Sequence, residues 1–350
     1  MEKATVGVGT VDPVTDNGWA ALADRAGSLF TSAPWLGALA DGYGMSFQAR
    51  VFGDRENPRG GVAWSEISDV RGRRIVSLPF SDFADPIGEV AGSELADLAN
   101  ELVSSGLSTR FRFLHVSPDE NSGLAAKGAM AWHRADLPTS DDALWDAIKS
   151  QGRQNIRKAR KSGLSVNVFD GVEGLALFRQ LHVVLRKRKY RLLAQPRKFF
   201  DALATHYAPD NLRVVIGYLD DEPVSGIVLL RHGDTAYYKF NASTDKANQV
   251  RANDFVMWEA MTTAIAWGCT GFDFGVSSYD QKGLISYKKK YATESGEMTN
   301  YRANGDAPLS TVERFAGSTA LPALTRWFTH PRVPDLVTSR AGDLLYRQFS

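Results

Sequence analysis

Cysteine is almost absent from this sequence, because Cys269 is the only one in 350 residues. A single thiol excludes an internal disulfide and a cysteine-rich zinc site, and it is typical of proteins from a reducing compartment. The sequence also lacks a run of about 18 apolar residues that could span a bilayer. Residues Met1–Ala4 open no signal-peptide pattern. We therefore expect a soluble cytoplasmic protein without stable membrane insertion.

An excess of charge of either sign is missing as well. The 41 lysines and arginines nearly balance the 40 aspartates and glutamates, which leaves a formal net charge of +1. This balance gives no global attraction for nucleic acid or membranes, so any contact with a polyanion must come from local basic clusters. The hydrophobic share of 43% and the charged share of 23% are typical of a globular protein. The length favours two domains or one duplicated domain.

The motifs of metal and covalent catalysis are absent too. The six histidines are scattered without helical pairing, and there is neither a Gly-x-Ser-x-Gly elbow nor a Walker loop. Cys269 follows Gly268 at a predicted helix-to-strand turn, where its apolar context favours a structural thiol over a nucleophile. The remaining means of catalysis are the positioning of substrates and electrostatic stabilisation, both supplied by amide donors, lysines and tyrosines around a cleft. Such groups suit direct acyl transfer to an amine.

Hydrophobic periodicity and turn residues predict the same order of elements in both halves: three strands, a helix and a fourth strand. In the first half, after a helix from Ser32 to a stop at Gly42–Gly44, these are Phe47–Phe52, Gly61–Glu66, Arg74–Leu78, the helix Glu94–Ser104 and Arg110–Val116. In the second half they are Leu212–Tyr218, Pro223–Leu230, Thr235–Asn241, a helix through Val256–Ile265, and Phe272–Phe274. Equal order and similar spacing predict a duplicated domain.

The predicted domains cover residues 1–138 and 139–306, and a C-terminal helical tail covers 307–350. The tail is expected to form an amphipathic helix followed by an irregular finish. Two basic clusters, Arg153–Lys161 and Arg186–Arg191, each end a predicted helix in the second domain. Basic residues at a helix C-terminus stabilise the helix dipole, so capping explains part of each cluster. An anion-binding role stays open beside it.

The strand at Gly271–Gly275 is followed by a loop and then by Tyr287–Tyr291, which holds three successive lysines between two tyrosines. Phe272 and Phe274 share one face of this strand, Asp273 points the other way, and Gly275 permits a close backbone turn. Lysine ammonium groups suit developing oxyanions. The alternative is a buried edge strand followed by a solvated basic turn.

Five short motifs of the second half occur in a characteristic order between about Trp145 and Arg302. They are Arg157–Gly163, Pro223–Gly226, Asn253–Ala260, Phe272–Gly275 and Gly283–Lys288. Together they resemble the FemAB-type transferases, which are the peptidoglycan-bridge enzymes and their acetyltransferase-like relatives. The first half matches this family only in pattern.

The resemblance implies an α+β fold of two tandem GNAT-like domains with mixed central sheets. It also implies transfer of an aminoacyl group from aminoacyl-tRNA, or of an acyl group from a thioester, onto a primary amine. The acceptor amine would belong to a peptide, a cell-wall precursor, a sugar-nucleotide-linked compound or a peptide-type metabolite. The donor would be a co-substrate, and no further cofactor is implied.

The resemblance also names site residues. Tyr287-Lys288 matches the family's aromatic-lysine pair, held to stabilise the tetrahedral oxyanion, although tyrosine replaces the usual phenylalanine. Arg188 matches the arginine that faces substrate phosphates. We interpret Lys289 and Lys290 as alternating strand or surface charges.

The candidate residues for the acceptor amine are Asp273, Asp280 and Tyr238, which could take its proton or orient it. Lys239 neighbours Tyr238 on a predicted strand, and alternation would let only one of the two face a cleft. The candidate catalytic residues are thus Lys288, Tyr287 and Asp273. The candidate substrate-binding residues are Arg157, Lys158, Arg188, Tyr238, Asn241, Arg251 and Tyr279.

The donor stays open between aminoacyl-tRNA and an acyl-CoA. Enzymes of the GNAT type cradle the CoA pyrophosphate with a glycine-containing loop at a helix N-terminus, whereas this chain has Gln249–Asp254 there. The missing glycines and the Asp254 carboxylate weigh against CoA, although Asp254 could serve as the helix N-cap. An acyl-CoA-dependent N-acyltransferase and a non-catalytic protein that binds anionic ligands are the alternatives.

Overall fold

The structure is a computed structural model that describes residues 9–69, 72–304 and 320–349. It divides into two compact units. The first unit holds residues 1–130, 297–322 and 347–350, and the second holds residues 131–296 and 323–346. None of the helices in the described ranges is both long enough and apolar enough to cross a membrane. The domain boundaries given above stay a prediction.

The first unit contains one mixed sheet. Its elements are β1 (Gly9–Val11), α1 (Asn17–Ala26), α2 (Ala33–Tyr43), β2 (Gln48–Gly53), β3 (Pro58–Asp69), β4 (Gly72–Val76), β5 (Ile87–Gly88), α3 (Gly92–Ser104) and β6 (Ser108–Phe113). The strand order is β1-β2-β3-β4-β6, with β5 on β3. Strand β4 pairs parallel with β6, and α3 makes the crossover between them. The buried cluster beneath α3 includes Trp64, Leu98 and Phe111.

Helix α2 begins and ends where its sequence predicts. The Ser32 hydroxyl accepts a hydrogen bond from the amide of Trp35, which caps the first turn. Gly44 adopts the left-handed conformation at φ +67°, which stops the helix at no steric cost.

Two strands contain residues of both units, β7 (Ala125–Asp136) and a C-terminal strand, β13 (Glu294–Ala303). Within the first unit, Thr299–Ala303 of β13 pairs antiparallel with β6. Within the second unit, residues 131–136 of β7 pair antiparallel with the strand Gly271–Ser277, here β12. Sequence patterns predicted neither β7 nor β13, because both are long, half-exposed strands with little hydrophobic alternation.

The second unit repeats the topology of the first. Its remaining elements are α4 (Asp141–Ala147), α5 (Ser150–Lys161), β8 (Ser165–Phe169), α6 (Val172–Leu185), α7 (Arg197–Tyr207), β9 (Leu212–Leu219), β10 (Glu222–His232), β11 (Thr235–Ser243), α8 (Asp245–Gln249), α9 (Ala252–Ala266), α10 (Lys282–Lys288), α11 (Leu321–Phe328) and α12 (Asp335–Leu345). The strand order is β7-β12-β11-β10-β9-β8. Strands β9, β10 and β11 are antiparallel, and β11 pairs parallel with β12 after the crossover through α9. The predicted order of three strands, a helix and a fourth strand is therefore present in both units, and the α+β fold class is confirmed. In both units the fourth strand pairs parallel with the third.

The hairpin between β9 and β10 follows the turn chemistry of the sequence. Asp220 and Asp221 both have positive φ, +52° and +62°. Such turns match the right-handed twist of the paired strands, and aspartate tolerates the left-handed region.

Helices cover both faces of the second sheet. Helices α5 and α9 bury one face in a cluster that includes Ile156, Met257 and Phe272. Helices α6 and α7 cover the other face, where Phe178, Phe199 and Phe200 surround Phe240 of β11 with ring centroids 5.9 to 6.4 Å away.

The C-terminal tail departs from its prediction. Residues 320–349 form two helices rather than one helix and an irregular finish. Pro322 lies in the first turn of α11, and Pro334 is the N-cap of α12. Proline costs little at these positions because the first amides of a helix have no intrahelical acceptor. The part of the tail prediction that covers residues 307–319 lies outside the described residues.

Candidate active site at a bulge in strand β12

Strand β12 contains a bulge opposite β7. Asp273 pairs with Arg134 and Val276 pairs with Trp132, so the register shifts between the two pairs. Gly275 lies inside the bulge at φ +67°, a conformation that favours glycine. On the other side, the described register of β12 with β11 covers the three pairs from Gly271 to Asp273. The bulge thus follows the point where that register ends.

Asp273 holds one side of this bulge together. Its carboxylate is buried, with 4% of the residue exposed. Oδ2 accepts a hydrogen bond of 2.8 Å from the Trp132 indole, and Oδ1 accepts one of 2.6 Å from the Gly275 amide. These are the contacts of a carboxylate that fixes backbone geometry.

Lys288 holds the same bulge from another direction. It is the last residue of α10 and is 2% exposed. Its ammonium donates hydrogen bonds to the carbonyl oxygens of Gly275, at 2.9 Å, and Val276, at 3.0 Å. A buried ammonium needs such acceptors. Gly275 therefore joins two of the predicted catalytic residues, since its amide contacts Asp273 and its carbonyl contacts Lys288.

Tyr287 and Lys288 belong to helix α10 and not to a solvated basic turn, so this part of the alternative interpretation is wrong. The Tyr287 hydroxyl donates a 2.9 Å hydrogen bond to the carbonyl of Asn253, at the start of α9. Burial raises the pKa of Tyr287 well above its ordinary value. The phenol is therefore a neutral hydrogen-bond donor near pH 7.

Tyr238 is held beside the same site by an irregularity in β11. The pairing with β10 shifts at Val228/Leu229 and passes over Lys239, so the simple alternation expected for Tyr238 and Lys239 is broken. The Tyr238 ring centroid lies 6.4 Å from that of Phe274. Burial raises the pKa of Tyr238 far above its ordinary value. A phenol with a raised pKa is a poor proton acceptor, which disfavours the predicted role of Tyr238 as a base.

His133 also faces this site, and sequence reasoning missed it. It lies on β7 between Trp132 and Arg134, opposite the bulge, and is completely buried. Neither ring nitrogen has a hydrogen-bond partner among the described residues. Burial, and then the positive charges of Lys288 and Lys289, lower its pKa from 6.5 to about 4. The imidazole is therefore neutral near pH 7.

The position of His133 follows from strand alternation. Ala135, two residues further along β7, belongs to the buried cluster that contains Phe272 and Phe274. Alternation places His133 on the same face of the sheet as these rings. The sequence could have shown this only if β7 had been recognised as a strand.

Asp254 lies at the start of α9 but does not cap it. The residue before the helix is Arg251, at φ +61°, and Asp254 is the third residue of the helix. Its carboxylate accepts hydrogen bonds of 2.5 Å from the Tyr291 hydroxyl and 3.2 Å from the Asn155 amide, and it forms an ion pair with Lys290. The possibility of an Asp254 N-cap is therefore wrong, and so is the interpretation of Lys290 as a strand or surface charge.

The basic cluster Arg186–Arg191 mostly anchors neighbouring segments. Lys187 is 3% exposed and forms a 2.6 Å ion pair with Asp335. Arg191 donates a 3.0 Å hydrogen bond to the carbonyl of Thr329. Arg188 is exposed and lines a groove of about 470 Å³ that also contains Glu222 and Ser243. Arg188 thus lies in an accessible depression whose described lining includes no residue of the bulge.

The other predicted substrate-binding residues are spread over α5, β11, the position before α9 and the loop after β12. The guanidinium of Arg157 lies 5.1 Å from the Trp145 ring centroid, and Lys158 is exposed on the same helix. Asn241 donates a 3.5 Å hydrogen bond to the carbonyl of Gly226. Arg251 is exposed before α9, and Tyr279 is 50% exposed after β12.

Comparison with known proteins agrees with this architecture. Residues 149–289 match the family model described as an acetyltransferase (GNAT) domain. No curated protein sequence gives a significant match. The matched segment contains β8–β12, the bulge and Lys288.

Several solved structures share the fold at low sequence identity. A FemX crystal structure has a TM-score of 0.61 at 15% identity, covering 86% of this chain and 98% of that chain. The structure of L-PGS from Bacillus licheniformis has a TM-score of 0.55 at 14% identity, covering 83% and 93%. A tandem GNAT protein from the clavulanic acid biosynthesis pathway has a TM-score of 0.54 at 9% identity, covering 87% and 100%.

The match to the acetyltransferase model indicates a transferase. The chain has the FemX-like double GNAT fold, and its residues 149–289 match the acetyltransferase (GNAT) domain model.

Proposed function

We propose that this protein transfers an aminoacyl group from aminoacyl-tRNA to a primary amine, without a covalent enzyme intermediate. The acceptor would be a peptide, a cell-wall precursor or a peptide-type metabolite, and the reaction would take place in the cytoplasm. The observation that carries the proposal is the buried Lys288 ammonium at the β12 bulge. A buried cation beside an edge where two strands stop pairing suits a reaction that develops negative charge.

The proposed reaction needs one positive charge and two positioned substrates. The neutral amine attacks the carbonyl carbon of the aminoacyl ester, a C–N bond forms, and the carbonyl oxygen becomes an oxyanion. The C–O bond to the tRNA ribose then breaks, and the proton lost by the amine passes to the leaving ribose oxygen. We assign Lys288 the stabilisation of the oxyanion, because a fixed charge in a water-poor site acts most strongly there.

We place the reacting carbonyl where β11 and β12 separate, after the pair Tyr237 and Asp273. Tyr238 and Phe274 are the next residues along the two strands, and their ring centroids lie 6.4 Å apart. As a neutral phenol, Tyr238 can donate a hydrogen bond to either substrate. Tyr287 connects α10 to the start of α9 through its hydrogen bond to the Asn253 carbonyl. Asp280 lies exposed in the turn after β12, where a carboxylate can orient an incoming amine.

Asp273 fits a positioning role better than the role of a base. Both carboxylate oxygens already accept hydrogen bonds, from Trp132 and from Gly275. Taking a proton would weaken the contacts that hold the bulge. We therefore infer that Asp273 positions the Gly275 carbonyl for Lys288.

The start of α9 supports aminoacyl-tRNA as the donor over CoA. Gln249–Arg251 contains no glycine that would let backbone amides approach a pyrophosphate closely. The first turn of α9 also carries Asp254, whose carboxylate already binds Lys290. The basic and exposed Arg157, Lys158 and Arg251 are proposed contacts for the phosphates of a larger donor.

A second candidate is an acyl-CoA-dependent N-acyltransferase acting in polysaccharide or metabolite modification. It is favoured by the description of the matching family model as an acetyltransferase domain. In that case CoA would bind at the start of α9 despite the Asp254 carboxylate.

The test supplies both donors to the purified chain. Charged total tRNA and a panel of CoA thioesters are incubated in parallel with candidate amines, and the products are identified by mass spectrometry. Aminoacyl products from tRNA alone would support the proposal, whereas acyl products from CoA alone would establish the second candidate. Binding of anionic ligands with a steep salt dependence and no product from either donor would indicate a non-catalytic binding protein.

A further inference from the structure

The C-terminal helices expose an unusual share of the large hydrophobic side chains. Among the described residues, most of the exposed large hydrophobic side chains lie on these two helices or on the segment that anchors them. We call this the tail surface, and it consists of Tyr190, Leu192, Leu324, Trp327, Leu336, Val337 and Leu344. Trp327 is 61% exposed and Leu344 is 79% exposed. Scattered apolar residues are ordinary at a protein surface, but a cluster indicates an interaction site.

The exposure is not a consequence of loose helix packing. Helix α12 is fixed by the Lys187–Asp335 ion pair and by a 2.6 Å hydrogen bond from Arg179 to Ser339. Asp343 also accepts a 2.7 Å hydrogen bond from the amide of Arg197. The tail surface is therefore held in one orientation.

The orientation of α12 is the reverse of an ordinary surface helix. Its buried side consists of Thr338, Ala341 and Gly342. A Cβ atom on Gly342 would meet the carbonyl oxygen of Ala194 at 2.4 Å, so this small-residue side is in close contact with the loop below it. Leu336, Val337 and Leu344 of the helix are exposed instead. A helix in a soluble domain normally buries its apolar side, so the outward side fits a second apolar environment.

The charge around the tail surface is positive. Arg188, Lys189, Arg326, Arg332 and Arg340 are all exposed in or beside it. The two acidic residues of α12 are Asp335 and Asp343, and both are paired with cations, Lys187 and Arg179. A local basic patch of this kind contrasts with the net charge of +1 for the whole chain.

We propose that the tail surface docks onto an anionic lipid bilayer, with α11 and α12 lying in the interface. Tryptophan and tyrosine favour the headgroup level, leucine side chains enter the acyl boundary, and arginines bind the phosphates of anionic lipids. A nucleic acid partner would use the arginines but would leave the aliphatic side chains of Leu336 and Leu344 in water. The combination of aliphatic, aromatic and basic residues therefore favours lipid. This inference does not depend on the proposed reaction.

Vesicle flotation of the full chain tests the inference. We expect binding to vesicles that contain phosphatidylglycerol and much weaker binding to phosphatidylcholine alone, with a loss at high salt. The double variant Trp327→Ser with Leu344→Ser should bind at least about tenfold more weakly, because two apolar side chains no longer enter the bilayer. Arg326→Gln should weaken binding about fivefold.

The matched control is Val172→Ser, which removes an apolar side chain that is 62% exposed outside the tail surface. It should leave vesicle binding unchanged, and thermal unfolding should confirm that all variants are folded. Equal binding of the double variant and the wild type would overturn the inference. So would binding to tRNA but not to vesicles, or self-association that the double variant abolishes without any vesicle binding.

Discussion

Acid is expected to destabilise this protein through His133. The pKa of the folded imidazole is about 4, against an ordinary value of 6.5, because the ring is buried and lies near the charges of Lys288 and Lys289. Between these two pH values the unfolded chain carries a proton on this residue that the folded chain lacks. The free energy of unfolding therefore rises with pH between about pH 4 and 6.5. Above pH 6.5 the stabilising contribution of His133 is complete.

The size of the effect follows from the pKa difference. Each pH unit inside the window is worth about 1.4 kcal/mol, so His133 accounts for about 3 kcal/mol over the whole window and about 2 kcal/mol between pH 7 and pH 5. His182 contributes in the same direction, because burial lowers its pKa to about 4 as well. When the pH falls from 7 to 5, the wild type should thus lose stability through the protonation of both histidines on unfolding.

Urea unfolding at pH 7 and pH 5 isolates the contribution of His133. In His133→Leu the loss of stability between the two pH values should be about 2 kcal/mol smaller than in the wild type, because the contribution of His133 is removed while that of His182 remains. The exposed Lys289→Gln should also reduce the loss, since removing one nearby cation raises the pKa of His133. Identical pH dependence in His133→Leu and the wild type would refute the reasoning.

Three further predictions concern the bulge and its surroundings. Lys290→Met should lower the free energy of unfolding by about 3 kcal/mol, because Asp254 keeps a buried charge without its cation; adding Asp254→Asn should recover part of this loss in a double-mutant cycle. Gly275→Ala should cost about 1–2 kcal/mol in chemical unfolding, because its φ of +67° is strained for alanine. Asp273→Asn should cost about 1–3 kcal/mol by the same measurement, since its amide group would face a donor, either the Trp132 indole or the Gly275 amide; no change in stability would contradict the role given to Asp273.

Elements with strong local signals could be predicted from the sequence. Ser32 and Gly44 mark the ends of α2, and Asp220 and Asp221 mark the tight turn between β9 and β10. Strand β7 was missed because its first four residues are exposed and Gly128 interrupts the pattern. Helix α10 was missed because it has only seven residues and ends among lysines.

The site was predictable in its residue types but not in its contacts. The sequence indicated Asp273 and Lys288 as candidate catalytic residues and Gly275 as a turn residue, and the structure joins the three through the two polar groups of Gly275. The sequence could not show that the acceptors of Lys288 are backbone carbonyls, because every residue carries a backbone carbonyl. His133 and Trp132 reach the bulge through long-range strand pairing, which local patterns do not specify.

The central claim is that the Lys288 charge stabilises an oxyanion during transfer to an amine. The most direct measurement is the single-turnover rate of aminoacyl transfer by Lys288→Met, compared with the wild type and with Lys289→Met as the adjacent exposed control. We predict a decrease of about 100- to 1000-fold for Lys288→Met, with donor binding retained and a cooperative thermal transition at a lower temperature, because the Gly275 and Val276 carbonyls lose their donor. Lys289→Met should transfer at a rate near that of the wild type. A folded Lys288→Met variant that transfers at the wild-type rate would contradict the account.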